Sequence, residues 1–137
     1  MSEINNRENL ENFIKKNIAL EVRSICFPHF SHHGNAAVLA IDKHFQGQTH
    51  KIAHAIWGST LTTLNKLLLF VDAAVDVENW NEVNTCIANY YNPVTDTFFS
   101  RGPLSLTDHA APVLGFGGKI CIDATRKTSS PAKPCHG

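Results

Sequence analysis

The chain has no surplus of charge: twelve basic and twelve acidic residues cancel over 137 positions. Proteins that grip nucleic acid through counterion release need a basic field, so that class is set aside. No apolar run approaches the roughly 20 residues of a membrane span, and the polar N-terminus carries no signal-peptide pattern. The four cysteines (Cys26, Cys86, Cys121 and Cys135) are scattered and form no CxxC pair. Reduced thiols in a cytoplasmic protein are the expectation. Internal repeats are missing as well. So is an HExxH pattern, although eight histidines are present.

What remains is an ordinary globular composition, 43% hydrophobic and 18% charged, in a length that suits one domain with one real core. Its centre is the stretch KLLLFVDAAVDV, residues 66–77. An unbroken apolar run ending in Asp72 suits a strand buried on both faces, the usual middle of a parallel sheet. The chain then enters a helix near Asn79, where Asn79 and Glu82 have the spacing of a capping box. Trp80, Val83, Ile87 and Tyr91 stripe that helix, and Asn92-Pro93 breaks it.

Around this centre the periodicities predict a helix over 6–17, a strand over 18–27 ended by Pro28, and a strand over 36–41. A helix is expected over about 48–63, with Ile52, Ile56 and Trp57 on its buried side. A short strand at 97–100, a long Pro- and Gly-punctuated loop, and a final strand at 119–123 complete the order. The predicted class is α/β: a small three-layer domain over 1–127, with a mostly parallel central sheet flanked by helices. The tail 128–137 has nothing to bury and is expected to be disordered.

Three spacings invite chemistry. His50 and His54, four apart on a helix, share a face that suits one metal ion, but no third ligand is near in sequence, and His29, His32 and His33 share only a loop. Solvated histidines are the favoured reading. GFGGK at 115–119 lacks the Ser or Thr and the following helix of a phosphate-binding loop, so a turn admitting close backbone approach is favoured. Asp72 and Asp76 suit a carboxylate pair for acid–base work or for Mg²⁺, or capping of the next helix; capping is favoured.

Four motifs in order carry a more specific signal. They are AAVLAIDKHFQGQTHKIAHAIWG, KLLLFVDAAVDVENWNEV, the pair NPVTD and RGPLSLTDHAAP, and FGGKICIDATRK. Together, from about residue 20 to 127, they resemble the C-terminal domain of the UbiD family of prenylated-flavin-dependent decarboxylases. The resemblance implies reversible decarboxylation of an aromatic or α,β-unsaturated acid, most readily a ubiquinone or menaquinone precursor. It implies prenylated FMN with Mn and K in the full enzyme, and none of these bound by this chain alone. The family's catalytic Glu and Arg residues lie in segments absent here, so no catalytic residue is expected in this chain.

The resemblance further implies that Lys66 approaches the flavin phosphate, and that Leu104 and Leu106 face the substrate ring. Asp108 and His109 are expected to fix their loop. The implied partners are the missing flavin-binding domain or subunit and further copies of the chain, with neither nucleic acid nor membrane. Departures are visible too: Ala73 and Ala74 stand where aspartates are usual, and Tyr90 and Thr95 where arginines are. The alternative expectation is a stand-alone, non-catalytic module for binding or oligomerisation.

Overall fold

The computed structural model describes residues 9–28, 35–59, 62–106, 108 and 110–126. Five strands form one sheet: β1 (Val22–Cys26), β2 (Ala36–Ile41), β3 (Leu67–Asp72), β4 (Thr97–Pro103) and β5 (Phe116–Asp123). Their spatial order is β1-β2-β3-β5-β4. The apolar run at 67–71 thus occupies the middle, where Leu68, Leu69, Phe70 and Val71 are buried from both sides.

The sheet is mixed, which corrects the expectation of a mostly parallel one. β3 runs parallel to β2 and to β5, whereas β1 pairs antiparallel with β2, and β4 antiparallel with β5. A parallel neighbour needs a long crossover, usually a helix, and only the middle of the chain supplies one. The connections before β2 and before β5 hold no helix among their described residues, so the chain turns back on itself at both edges.

Two helices lie on opposite faces: α1 (Gln48–Trp57) and α2 (Trp80–Tyr90). Alternation along the strands divides the core between them. Leu39, Ile41, Leu68, Phe70 and Cys121 meet Ile52, Ala53, Ile56 and Trp57 of α1, together with Ile14 from the N-terminal helical segment. Val38, Ala40, Leu69 and Val71 meet Val83 and Cys86 of α2. The N-terminal segment is helical from residue 9 and closes in a π-helical turn, Ile14–Ile18, where Ala19 N–H donates to Ile14 O at 2.9 Å.

Element ends differ from the sequence expectation for local reasons. α1 stops at Trp57 rather than near 63, because Gly58 follows and the hydroxyls of Thr62 and Thr63 donate to the carbonyls of Ile56 and Trp57 at 2.5 and 2.8 Å. α2 begins as expected: Asn79 Oδ1 accepts from the N–H groups of Asn81 and Glu82 at 3.0 and 3.4 Å. Its buried stripe is Val83 and Cys86, with the expected Ile87 and Tyr91 partly buried against them, while Trp80 is only partly covered. β4 and β5 are longer than expected because the glycines at 117 and 118 stay extended and pair with Gly102 and Arg101. The N-terminal residues 1–8, the loop carrying His29, His32 and His33, His109, and the tail 128–137 lie outside the described residues.

Candidate active-site wall

Lys66 opens β3 at the amino end of the parallel strands. Its N–H and that of Leu67 both donate to Asn35 O at 2.8 Å, and its carbonyl accepts from Ile120 N–H at 2.9 Å, so the backbone is held on both sides. The half-exposed ammonium reaches Asp108 Oδ2 at 2.9 Å. Asp108 Oδ1 accepts from Ala110 N–H at 2.9 Å, and Asp108 N–H donates to Ser105 O at 3.0 Å. The bond from Lys66 holds the Asp108 carboxyl below the usual aspartate range. One ion pair therefore ties the loop after β4 to the start of the central strand.

The two leucines of that loop part company. Leu104 is buried; its N–H donates to Gly115 O at 2.9 Å, and its Cδ1 lies where a Cβ on Gly117 would come within 2.8 Å. Leu106 is 69% exposed and passes over Gly115, whose φ of +76° is one that side-chain-bearing residues rarely adopt. The close backbone approach expected of the GFGGK stretch is thus real, and its purpose is to seat these leucines.

Beneath them lies a group that sequence reasoning passed over. Lys119 is buried on the α1 side of β5, and its Nζ donates to the carbonyls of Thr63 (2.7 Å) and Asn65, over the face of Trp57. Trp57 Nε1 in turn donates to Asn65 Oδ1 at 3.0 Å. Desolvation pushes the Lys119 ammonium down to about 8. The readable signal was its place in a strand: Gly117, Lys119 and Cys121 share one face, and that face is buried.

The opposite, carboxyl end of the sheet carries a different set. Lys43, with a side chain only 2% exposed, reaches Asp123 Oδ2 at 3.3 Å and Thr125 Oγ1 at 2.7 Å. Thr49 Oγ1 donates to Asp123 Oδ2 at 3.1 Å. Asp72 and Asp76 do not converge. Asp72 Oδ2 accepts from Arg126 N–H at 3.0 Å, while Asp76 Oδ1 accepts from Glu78 N–H at 3.0 Å, ahead of the helix; the cap of α2 is Asn79, so neither aspartate caps it as expected. A groove of about 650 Å³ lies between Asp72, Glu82, Cys86, Tyr90 and Arg126.

His54 Nδ1 engages His50 O at 2.7 Å, and the His50 ring stacks on Phe98 at 3.8 Å. Among the described residues no group of three His, Cys, Asp or Glu side chains is placed to hold a metal ion. Among the described residues, the groups expected to meet a flavin or its substrate are the Lys66 ammonium, paired with Asp108, and the exposed side chain of Leu106. That set fits the rim of a cofactor site, not the whole of one.

Residues 1–124 match the family model of the 3-octaprenyl-4-hydroxybenzoate carboxy-lyase C-terminal domain, UbiD_C. The chain belongs to that family. An uncharacterised protein of Archaeoglobus fulgidus is 34% identical over 94 residues, which are 68% of this chain and 20% of that protein. Another, from Aquifex aeolicus, is 36% identical over 93 residues, again 68% of this chain and 19% of that protein. Among solved structures, the closed form of the vanillic acid decarboxylase of Sedimentibacter hydroxybenzoicus superposes with a TM-score of 0.81 at 20% identity, over 93% of this chain and 27% of that one. The UbiD-class enzyme HmfF of Pelotomaculum thermopropionicum, in complex with FMN, superposes with a TM-score of 0.75 at 21% identity, over 92% and 28%. At such identities the structures speak for the fold. The chain spans about a fifth of the length of the curated relatives it matches.

Proposed function

We propose that this chain is the C-terminal portion of a UbiD-type decarboxylase acting on an aromatic or α,β-unsaturated carboxylic acid, with a quinone precursor as the leading substrate class. The observation that carries the reading is the braced loop. Lys66 and Asp108 hold it against the sheet, Leu104 anchors it, and Leu106 stands out at 69% exposure where a second body can meet it. An apolar wall with one cation at its rim suits an aromatic acid lying beside a flavin phosphate.

In this reading the prenylated flavin supplies the electron sink, and sequence outside this chain holds it with Mn and K and contributes the acid–base carboxylates and arginine. The chain orients and excludes water: Leu106 faces the ring, Leu104 supports it from behind, and Lys66 lies toward the phosphate. Copies of the chain associate, and the assembly works in the cytoplasm.

The test combines this chain with a flavin-binding portion of a UbiD-type enzyme and prenylated FMN, and measures CO₂ release from cinnamate- and hydroxybenzoate-type acids. Release that depends on both parts, and that falls with Leu106→Asp, supports the reading. Silence across cognate flavin-binding portions that are active with their own C-terminal domains would overturn it. The two buried clusters favour a second reading, an independently folded, non-catalytic module. Cooperative unfolding of the isolated chain, with no gain in stability from the flavin-binding portion, would favour that one.

A further inference from the structure

Filling the core does not explain Lys119. The residue is 2% exposed, and its partners among the described residues are two carbonyls and the face of Trp57, 5.8 Å from Nζ. A buried ammonium with no acid beside it costs stability that an aliphatic side chain of the same length would not. The fold nevertheless makes room for it. Ser100 stands opposite Lys119 in the ladder, and a Cβ on the neighbouring Gly102 would come within 3.0 Å of Lys119 Cε. α1 presents Trp57, with His54 edge-on to the indole, and residues 62–65 present their carbonyls. None of these groups is an acid.

What the ammonium holds is the lead into Lys66. The peptide group between Asn65 and Lys66 is gripped at both ends: its carbonyl accepts from Lys119 Nζ, and its N–H donates to Asn35 O at 2.8 Å. The next carbonyl, that of Lys66, accepts from Ile120 N–H at 2.9 Å. Two neighbouring residues of β5 therefore hold two consecutive carbonyls, one by side chain and one by backbone. The Asn65 side chain adds to this, accepting from Trp57 Nε1 at 3.0 Å and donating to Leu67 O at 3.3 Å.

We infer that Lys119 is a positioning residue for Lys66. Its buried ammonium fixes the peptide from which the Lys66 side chain sets out, and so aims that side chain at Asp108 and, in the assembled enzyme, at the flavin phosphate. The flavin clause rests on the proposed function; the tie to Asp108 does not. The charge has a purpose in this role, because an ammonium carries three donors and bonds carbonyls more strongly than a neutral group does. Lys119 touches neither cofactor nor substrate in this reading and acts through Lys66 alone.

The experiment follows the Asp108 carboxyl by NMR through an acid titration of the 137-residue chain. Lys119→Met keeps the aliphatic bulk and removes the donors. Asp108, held low by Lys66, should then titrate higher than in wild type, because Lys66 meets it less often. Adding Lys119→Met to Lys66→Met should raise it no further, since the effect travels through Lys66. A rise of the same size in both backgrounds overturns the inference, and so does an unmoved Asp108 in folded Lys119→Met. Where that variant does not fold, Gly102→Ala carries the test: it displaces Lys119 Cε while removing no polar group, and Asp108 should move in the same direction. An unmoved Asp108 there overturns the inference as well. Combined with a flavin-binding portion, Lys119→Met should weaken flavin binding about threefold to tenfold. Unchanged affinity beside a moved Asp108 overturns the flavin clause. A wild-type assembly that binds no flavin sinks the proposed function and leaves the tie to Asp108 standing.

Discussion

The two ends of the sheet each bury or half-bury lysines, and they treat them in opposite ways. At the carboxyl end Lys43 has an acid, Asp123, within a closed set of hydroxyl and carboxylate partners. At the amino end Lys119 has only carbonyls, and Lys66 has an acid that belongs to a loop rather than to the core. In open α/β sheets ligands usually sit outside the carboxyl ends of the strands. Here that end holds a buried ion pair and also the groove beside Asp72 and Arg126, while Leu106 and Lys66 lie at the other. Under the proposed function the ligand would meet the amino end, where Leu106 is exposed, rather than the end that the location rule favours.

Breaking the closed end should have the largest effect. Asp123→Ala leaves the Lys43 ammonium, 2% exposed, with Thr125 as its remaining polar partner. Removing one member of a buried pair costs about 3–5 kcal/mol, a large share of a domain's stability. Urea unfolding of the isolated chain reads it directly; a loss under about 1 kcal/mol would mean that Lys43 escapes to solvent.

At the open end the two loop leucines should separate. Leu104→Ala empties a site packed against Gly117 and is expected to cost about 2–4 kcal/mol. Leu106→Ala removes an exposed side chain and should stay within about 0.5 kcal/mol. In the reconstituted decarboxylase the order should invert for substrate selectivity, with Leu106 substitutions shifting kcat/KM between ring sizes. Equal stability costs would erase the distinction between anchor and wall.

Lys119 gives the comparison a pH axis. Its folded value, about 8, lies below the unfolded 10.5. Between those limits the unfolded chain binds more protons than the folded one, so this group adds stability as pH rises through that window. Below pH 8 both states carry the proton and its contribution is flat. Lys119→Met should therefore remove a rise in unfolding free energy between about pH 8 and 10.5, measured against wild type in the same buffers. A pH dependence identical in the two proteins would show that the ammonium keeps its ordinary value.

Much of this was legible in sequence and some was not, for identifiable reasons. β3 and α2 could be read because their determinants are local: an unbroken apolar run, and an asparagine three residues before a glutamate. The mixed sheet could not, since the direction of β4 depends on a loop that lacks a crossover helix, and periodicity carries no direction. Lys66 was singled out through resemblance, yet its partner Asp108 is 42 residues away. Lys43 and Asp123 are 80 apart, and neither drew notice alone. Pairings of that span are written in the fold, not in any window of sequence.

The smallest expected effect is also the most discriminating. Lys66→Met removes a half-exposed ammonium from Asp108, and such pairs contribute little to stability. The melting temperature should hardly move. Two other readouts should. The Asp108 carboxyl, held low by Lys66, should titrate higher in the variant, visible by NMR, because the first cause of its shift is gone. Stability due to the pair is present above the unfolded aspartate value and lost as pH falls through the folded one, so the acid limb of wild type and variant should converge at low pH. In the reconstituted enzyme, flavin affinity should fall while the fold is untouched. If flavin affinity is unchanged and only the Asp108 titration moves, Lys66 is a loop brace and nothing more, and the amino end loses the cation proposed for the cofactor.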